Sequence, residues 1–218
     1  MSEHAPLEVK VWGAYACFTR PEMKAERVSY PVMTPSAARG LLEAIFWKPE
    51  ISWQVREIWV LNPIHHFSIL RNEVNNKAAP STVRGWGRTG GGYFAEEDRA
   101  QRHTLGLRNV AYILKADVVL ALHATAEDIA KYRDQFRRRI NRGQCYHQPY
   151  FGCREFAASF GPPDGTERPV DLTDALGRML FDLDYALDKS GRGTPRFFEA
   201  RLEYGILRVP PDLYTKER

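Results

Sequence analysis

The chain has 218 residues, 44% hydrophobic and 27% charged, enough for one main globular domain with a real core. It contains no run of 18 apolar residues, and its first ten, MSEHAPLEVK, lack an apolar signal segment, so a soluble, unexported, cytoplasmic protein is expected and a membrane partner is not. Three cysteines without a C-x-x-C pair argue against a disulfide framework or a zinc knuckle, and the net charge of +4 with a pI near 9.0 permits an anionic partner only if the cations cluster.

In chain order, Leu7, Val9 and Val11 alternate with polar residues, predicting a strand that ends near Phe18. Thr34 can cap a first helix with Pro35 in its first turn, Ala38, Leu41, Leu42 and Ile45 follow helical spacing, and Pro49 stops it. Trp53–Leu61 reads as a second strand ending at Asn62-Pro63. Residues 64–108 read as a long insertion containing RGWGRTGGGYF (84–94), whose glycines predict a mobile loop. Asn109–Ala124 is β-branched enough for a strand or a bent pair. Thr125 and Asp128 resemble a capping box that opens a helix closed by Gly143, and FGCREFAASF (151–160) reads as a further strand before a turn. The order β-α-β-insertion-β-α-β predicts an α+β, ferredoxin-like domain over 1–160. Alternation at Met179–Tyr185 and Phe198–Tyr204 predicts a small antiparallel β-sheet domain over 161–218, with KSGRG (189–193) in its hairpin.

The charge clusters at KYRDQFRRRINRGQCYHQPYFGCREF (131–156), which holds seven Lys/Arg against Asp134 and Glu155. At 100° per residue Ile129, Phe136 and Ile140 share one face of the second helix, while Lys131, Arg138 and Arg142 share the opposite one. A solvated face would look the same. Tyr146, His147, Tyr150 and Phe151 follow, however, and stacking planes beside cations suit single-stranded or hairpin RNA. Arg84, Trp86 and Arg88 would make the glycine-rich loop a second RNA contact. GRTGGG (87–92) lacks the Lys-Ser/Thr ending of a P-loop. Adjacent His65 and His66 would point to opposite strand faces, so they do not form a metal site. His103 and His147 are candidate proton-transfer groups, Asp182 and Asp184 read as a solvated strand side, and Tyr132 reads as an aromatic at the core edge.

GAYACFTRPEMKAERVSYPVMTPSAARGLLEAIFWKP (13–49), the strand after it, and YFGCREF (150–156) resemble the CRISPR-associated protein family five of subtype I-C, the d subtype. The resemblance covers most of residues 5–160. It implies a ferredoxin-like, RNA-recognition-type (RAMP) domain with a small C-terminal β-sheet. It also implies an endoribonuclease that cuts the repeat hairpin of precursor CRISPR RNA without metal or other cofactor, then stays on the 5′ handle as a subunit of the interference complex (Cascade). The family's glycine-bearing loop would map to Gly152, beside Arg154 and Glu155. Its catalytic Tyr, Lys and His would fall on Phe46, Lys131 and Tyr132. Lys131 keeps its cation, Phe46 has no proton to transfer and marks only a position, and Tyr132 can donate or accept one. His147 or His103 would then supply the missing imidazole.

Two functions therefore stand open: cleavage of precursor CRISPR RNA, or recognition of the 5′ handle without cleavage. Arg138, Arg142, Tyr146 and Arg154 are the expected RNA contacts near the second helix. The partners implied are the RNA and the other type I-C Cascade subunits, and the charge alone would also allow double-stranded DNA.

Overall fold

A computed structural model describes residues 4–121, 124, 129–185 and 193–215. Strand β1 (Leu7–Ala16) leads through the two-residue β2 (Arg27–Val28) to helix α1 (Pro35–Ile45) and strand β3 (Ile51–Val60). Next come β4 (His65–Val74), helix α2 (Pro80–Thr89), the 22-residue β5 (Arg99–Leu120), helix α3 (Ile129–Arg142) and β6 (Ser159–Gly161). The chain ends in β7 (Asp174–Tyr185), β8 (Gly193–Glu203) and β9 (Ile206–Arg208).

The sheet runs β6-β1-β5-β3-β9-β8-β7, with β2 and β4 also pairing with β5. Every pairing is antiparallel except β2 with β5. Strand β9 bonds to both β3 and β8, so the C-terminal hairpin continues the central sheet. The result is a mixed α/β molecule with one mostly antiparallel sheet. Period-two burial of Leu7, Val9 and Val11 faces the helices, as the alternation predicts. Thr34 accepts a hydrogen bond from the Ala37 amide at 3.2 Å, and the predicted stripe Ala38, Leu41, Leu42 and Ile45 is buried. From α3, Phe136 packs on Trp53 with ring centroids 4.7 Å apart.

Four expectations need correction. Arg84–Thr89 is helical, not a loop: Pro80 starts α2, the Val83 amide donates to Ala79 O, and Gly85 and Gly87 face open space where no packing demands a side chain. Of the segment 151–160 only Ser159 and Phe160, the start of β6, are strand, because Gly152 at φ 79° turns the chain and the Phe156 amide bonds back to Cys153 O. Asp182 is no solvated carboxylate: a register shift between Leu180 and Asp182 in β7 accompanies a bidentate pairing with Arg39 of α1, at 2.7 and 2.9 Å. The insertion is also shorter than expected, since 99–108 belongs to β5 and pairs along its length with β4. The expected capping residues Thr125 and Asp128, and most of KSGRG, lie outside the described residues.

Candidate functional site

The C-terminal end of α1 brings the candidate residues Phe46, Tyr132, Tyr146 and His147 together, with Lys131 next to Tyr132. A helix end leaves carbonyls without partners, and here other segments supply the donors. The Tyr146 and His147 amides both donate to Ala44 O, at 2.8 and 2.9 Å, and Arg139 of α3 donates to Ile45 O at 2.9 Å. This docks the segment after α3 onto α1 and places a cation at the negative end of its dipole.

Below this junction lies an aromatic floor. Phe46 is fully buried and Tyr132 is 2% exposed, with ring centroids 6.4 Å apart. Trp53 Nε1 donates to Phe46 O at 3.0 Å, Lys131 Nζ lies 5.4 Å from the Tyr132 ring centroid, and the Arg139 guanidinium lies 5.3 Å from that of Phe46. Phe46 thus sits in the core, its ring away from solvent. Above the floor, Trp47 and Tyr146 stack at 6.3 Å with a 29° interplanar angle, and His147 meets Tyr146 at 4.2 Å. Trp47, Tyr146 and His147 are exposed, as are Lys131, Arg138 and Arg142 on α3. This end of the molecule therefore exposes flat aromatic rings, and the solvent-facing side of α3 carries cations.

The glycine-bearing turn forms a second assembly. A side chain at Gly152 would collide with the Cys17 carbonyl, so glycine is required by contact as well as by its φ of 79°. The Cys17 amide donates to Phe151 O at 3.0 Å, and Phe151 is wholly buried. Cys17 and Cys153 face each other. The Cys17 thiol donates to Cys153 and, with help from Arg27 at 3.3 Å, brings the Cys153 thiol down to about 6 against the opposing effect of burial. The same bond and burial push Cys17 up. Arg27 also pairs with Glu73 at 3.3 Å, and Arg71 pairs with both Glu73 (3.2 Å) and Glu155 (2.7 Å), tying the turn to β4.

Other predicted residues lie apart from the α1 end. Arg84 and Arg88 are exposed on α2, with Trp86 half-buried against Gly91, and Arg154 is exposed on the Gly152 turn. His103 is exposed on β5, opposite Leu70 of β4, and its amide donates to Glu26. Sequence reasoning passed over Trp47 and Arg139. The first carried a signal: a tryptophan just beyond the helix's C-cap, Phe46, and before Lys48 has no place on the helix's apolar stripe. Arg139, three residues after Phe136, lies at the edge of the buried stripe, where helical geometry lets its long side chain reach α1. Among the described residues no group of three or more His, Cys, Asp or Glu is placed to hold a metal ion, and no helix is long and apolar enough to cross a membrane.

Over 97% of its length the chain is 49% identical to a protein of Thermus thermophilus named CRISPR pre-crRNA endoribonuclease Cas5d, covering 94% of that protein. It is 42% identical to a protein of Mannheimia succiniciproducens with the same name, covering 97% of each. A crystal structure of a CRISPR-associated protein superposes with a TM-score of 0.68 at 20% identity, covering 97% of this chain and 96% of that one, which supports the fold. The family model described as CRISPR-associated protein (Cas_Cas5) matches residues 6–210, and the chain belongs to this family.

Proposed function

We propose that this protein is an endoribonuclease that cuts precursor CRISPR RNA at the repeat hairpin and then remains on the 5′ handle as a subunit of a type I-C interference complex in the cytoplasm. The observation that carries this reading is the surface at the end of α1. There Trp47 and Tyr146 offer a stacking step and Lys131, Arg138 and Arg142 line the adjoining helix. Near-complete alignment with two relatives named for this activity supports it. The order β6-β1-β5-β3, with α1 joining β1 to β3 and α3 joining β5 to β6, supports a ferredoxin-like domain over 1–160, whose sheet the C-terminal strands β9, β8 and β7 extend beyond β3.

The reaction asks little of the protein because RNA carries its own nucleophile. The 2′-hydroxyl attacks the adjacent phosphorus and the 5′-oxygen leaves, giving a 2′,3′-cyclic phosphate and a 5′-hydroxyl without a metal ion. What remains is to hold the attack in line, accept one proton, return another, and offset the charge on the phosphorane. Lys131 is assigned the last task. His147, exposed and anchored through its amide to the end of α1, is assigned proton transfer. Phe46 and Tyr132 form the floor that fixes α3 against α1, and Tyr132 contributes its hydroxyl only if that floor opens on RNA binding. Their burial is also the observation that favours the second reading, a subunit that grips the handle without cutting.

Incubating the purified protein with its own repeat RNA in EDTA separates the two. Cleavage is expected, ending in a cyclic phosphate, and abolished by one 2′-deoxy nucleotide at the cut site. Lys131→Ala is expected to slow it by about 10²–10⁴-fold, roughly 3–5 kcal/mol of barrier, with most RNA affinity retained. Tyr132→Phe should cut at the wild-type rate and His147→Ala should not. An intact repeat after prolonged incubation would leave the handle-binding reading standing.

A further inference from the structure

Between the loop that follows β1 and the C-terminal hairpin lies an open cleft of about 720 Å³ that the site above does not use. Helix α3 packs on β5, β6 and β1, whereas the cleft borders β7 and β8, at the other end of the sheet from β6. Arg20, Lys24 and Arg178 line it against a single carboxylate, Glu22. The two arginines share a particular arrangement. The Arg20 guanidinium lies 4.5 Å from the centroid of the buried Tyr30 ring, and that of Arg178 lies 4.1 Å from the Phe197 centroid. A guanidinium packed against one ring can take a second planar group on its other face, and RNA-binding proteins use arginine planes to hold unpaired bases.

The backbone is shaped for this. Gly177, at φ 69°, sits where the β7–β8 register shifts, so β7 bulges next to Arg178. A bulge re-aims the following side chain and recurs beside functional surfaces. On the opposite wall, the Arg20 amide donates to Val28 O and the Met23 amide to Arg20 O, which folds the 20–24 loop into a defined turn. Glu22 reaches Arg20 only at 3.9 Å, too far for a strong pair that would occupy the guanidinium.

We propose that this cleft is a second binding site for single-stranded RNA, in which Arg20 and Arg178 stack on unpaired bases and Lys24 pairs with the connecting phosphate. The proposal rests on the RNA-processing reading above and extends it from the hairpin to a single-stranded flank of the same molecule. An acidic protein segment would satisfy the charges but has no planar group for the two guanidinium faces, and this is why RNA is the occupant chosen.

The test compares repeat RNA carrying its single-stranded flanks with the hairpin alone, using direct binding of each to the full-length protein. Arg20→Ala with Arg178→Ala is expected to weaken binding of the flanked RNA roughly 10- to 100-fold, the worth of one or two lost stacking partners, while the bare hairpin binds as to the wild type. Arg20→Lys with Arg178→Lys keeps both charges and removes both planes, so a stacking role predicts a loss of affinity with the salt dependence preserved. Thermal unfolding of each variant checks that the fold is intact, and the lysine pair keeps the test open should the alanine pair fail to fold. Wild-type affinity of both pairs for flanked RNA would overturn the proposal, provided Arg138→Ala with Arg142→Ala still weakens binding. If that control is silent too, the RNA-binding reading itself falls. Binding of a polyglutamate peptide that is lost in the alanine pair, with RNA binding unchanged, would overturn the proposal in favour of an acidic protein partner.

Discussion

Strand β5 passes through two environments. From Val110 to Val118 every residue but Lys115 is buried, flanked by β1 on one side and β3 on the other and covered by helices. From Arg99 to Leu105 only Thr104 is buried; this half pairs with β4, which has no buried residue, and with the two residues of β2. The hydrogen-bond ladder runs through both halves. What differs is apolar burial, so pairing alone does not make the outer ribbon a stable unit: its exposed side chains Ile69, Leu70 and Val74 gain little by folding. The inner half should carry stability and the outer half should depend on it.

The largest expected effect tests this directly. Leu114→Ala removes a side chain with no exposed surface from the middle of the sheet and should cost about 2–5 kcal/mol in denaturant unfolding, through lost burial and the cavity left behind. A loss below about 1 kcal/mol would mean that the core is centred elsewhere.

The boundary between the halves is a single residue. Asn109 adopts φ 53°, and the Asn62 amide group donates to both its carbonyl (2.9 Å) and its side-chain oxygen (3.3 Å). Asparagine tolerates the left-handed region better than a β-branched residue does, so Asn109→Val should cost about 1–2 kcal/mol. Asn109→Gly should cost less, because glycine relieves the strain and forfeits only the side-chain bond. If valine and glycine were equivalent, the bend would not be what links the halves.

How much of this could be read from residues alone follows the same division. The inner strands and α1 announced themselves because a buried face imposes a period: the stripe at Ala38, Leu41, Leu42 and Ile45 is both the sequence signal and the packing. Helix α2 buries nothing, so no period marked it, and its glycines argued for a loop. The Gly152 turn hid behind strand-like composition, since what shapes it is the approach of Cys17 from 135 residues away. At the site, the cations of α3 were visible as a helical face. The burial of Phe46 was not, because only the partner elements decide whether a ring at a helix end turns inward.

Charge, more than burial, fastens the outer ribbon to the body through Arg71, Glu73, Glu155, Arg27 and the Cys17–Cys153 pair, and this makes its attachment sensitive to pH. The Cys153 thiol is lowered from near 9 to about 6. In the window between those values the unfolded chain binds the extra proton, so stability should rise with pH. The contribution is complete above the unfolded value and is lost as pH falls through about 6. Cys153→Ala should remove this slope, as read from unfolding free energies measured at intervals across the window. A slope that survives the substitution would assign it to another group.

The smallest effect is expected at Leu105, nine residues before Leu114 on the same strand. Leu105 pairs with Val28 and Ser68, its carbonyl accepts from the Ser29 amide at 2.9 Å, and its side chain is 38% exposed. Because the ladder bonds come from the backbone, Leu105→Ala keeps them and removes only partly solvated methyl groups. That predicts a loss of about 0.5–1 kcal/mol, against several for the same substitution at position 114. The pair therefore measures the difference between the two halves with identical chemistry at both sites. Equal losses would require something to bury the ribbon in solution, and repeating the measurement over a range of protein concentrations would identify self-association as the cause. If the loss at Leu105 stayed small in isolation but grew when RNA was bound, the ribbon would be a surface that becomes covered only in the complex.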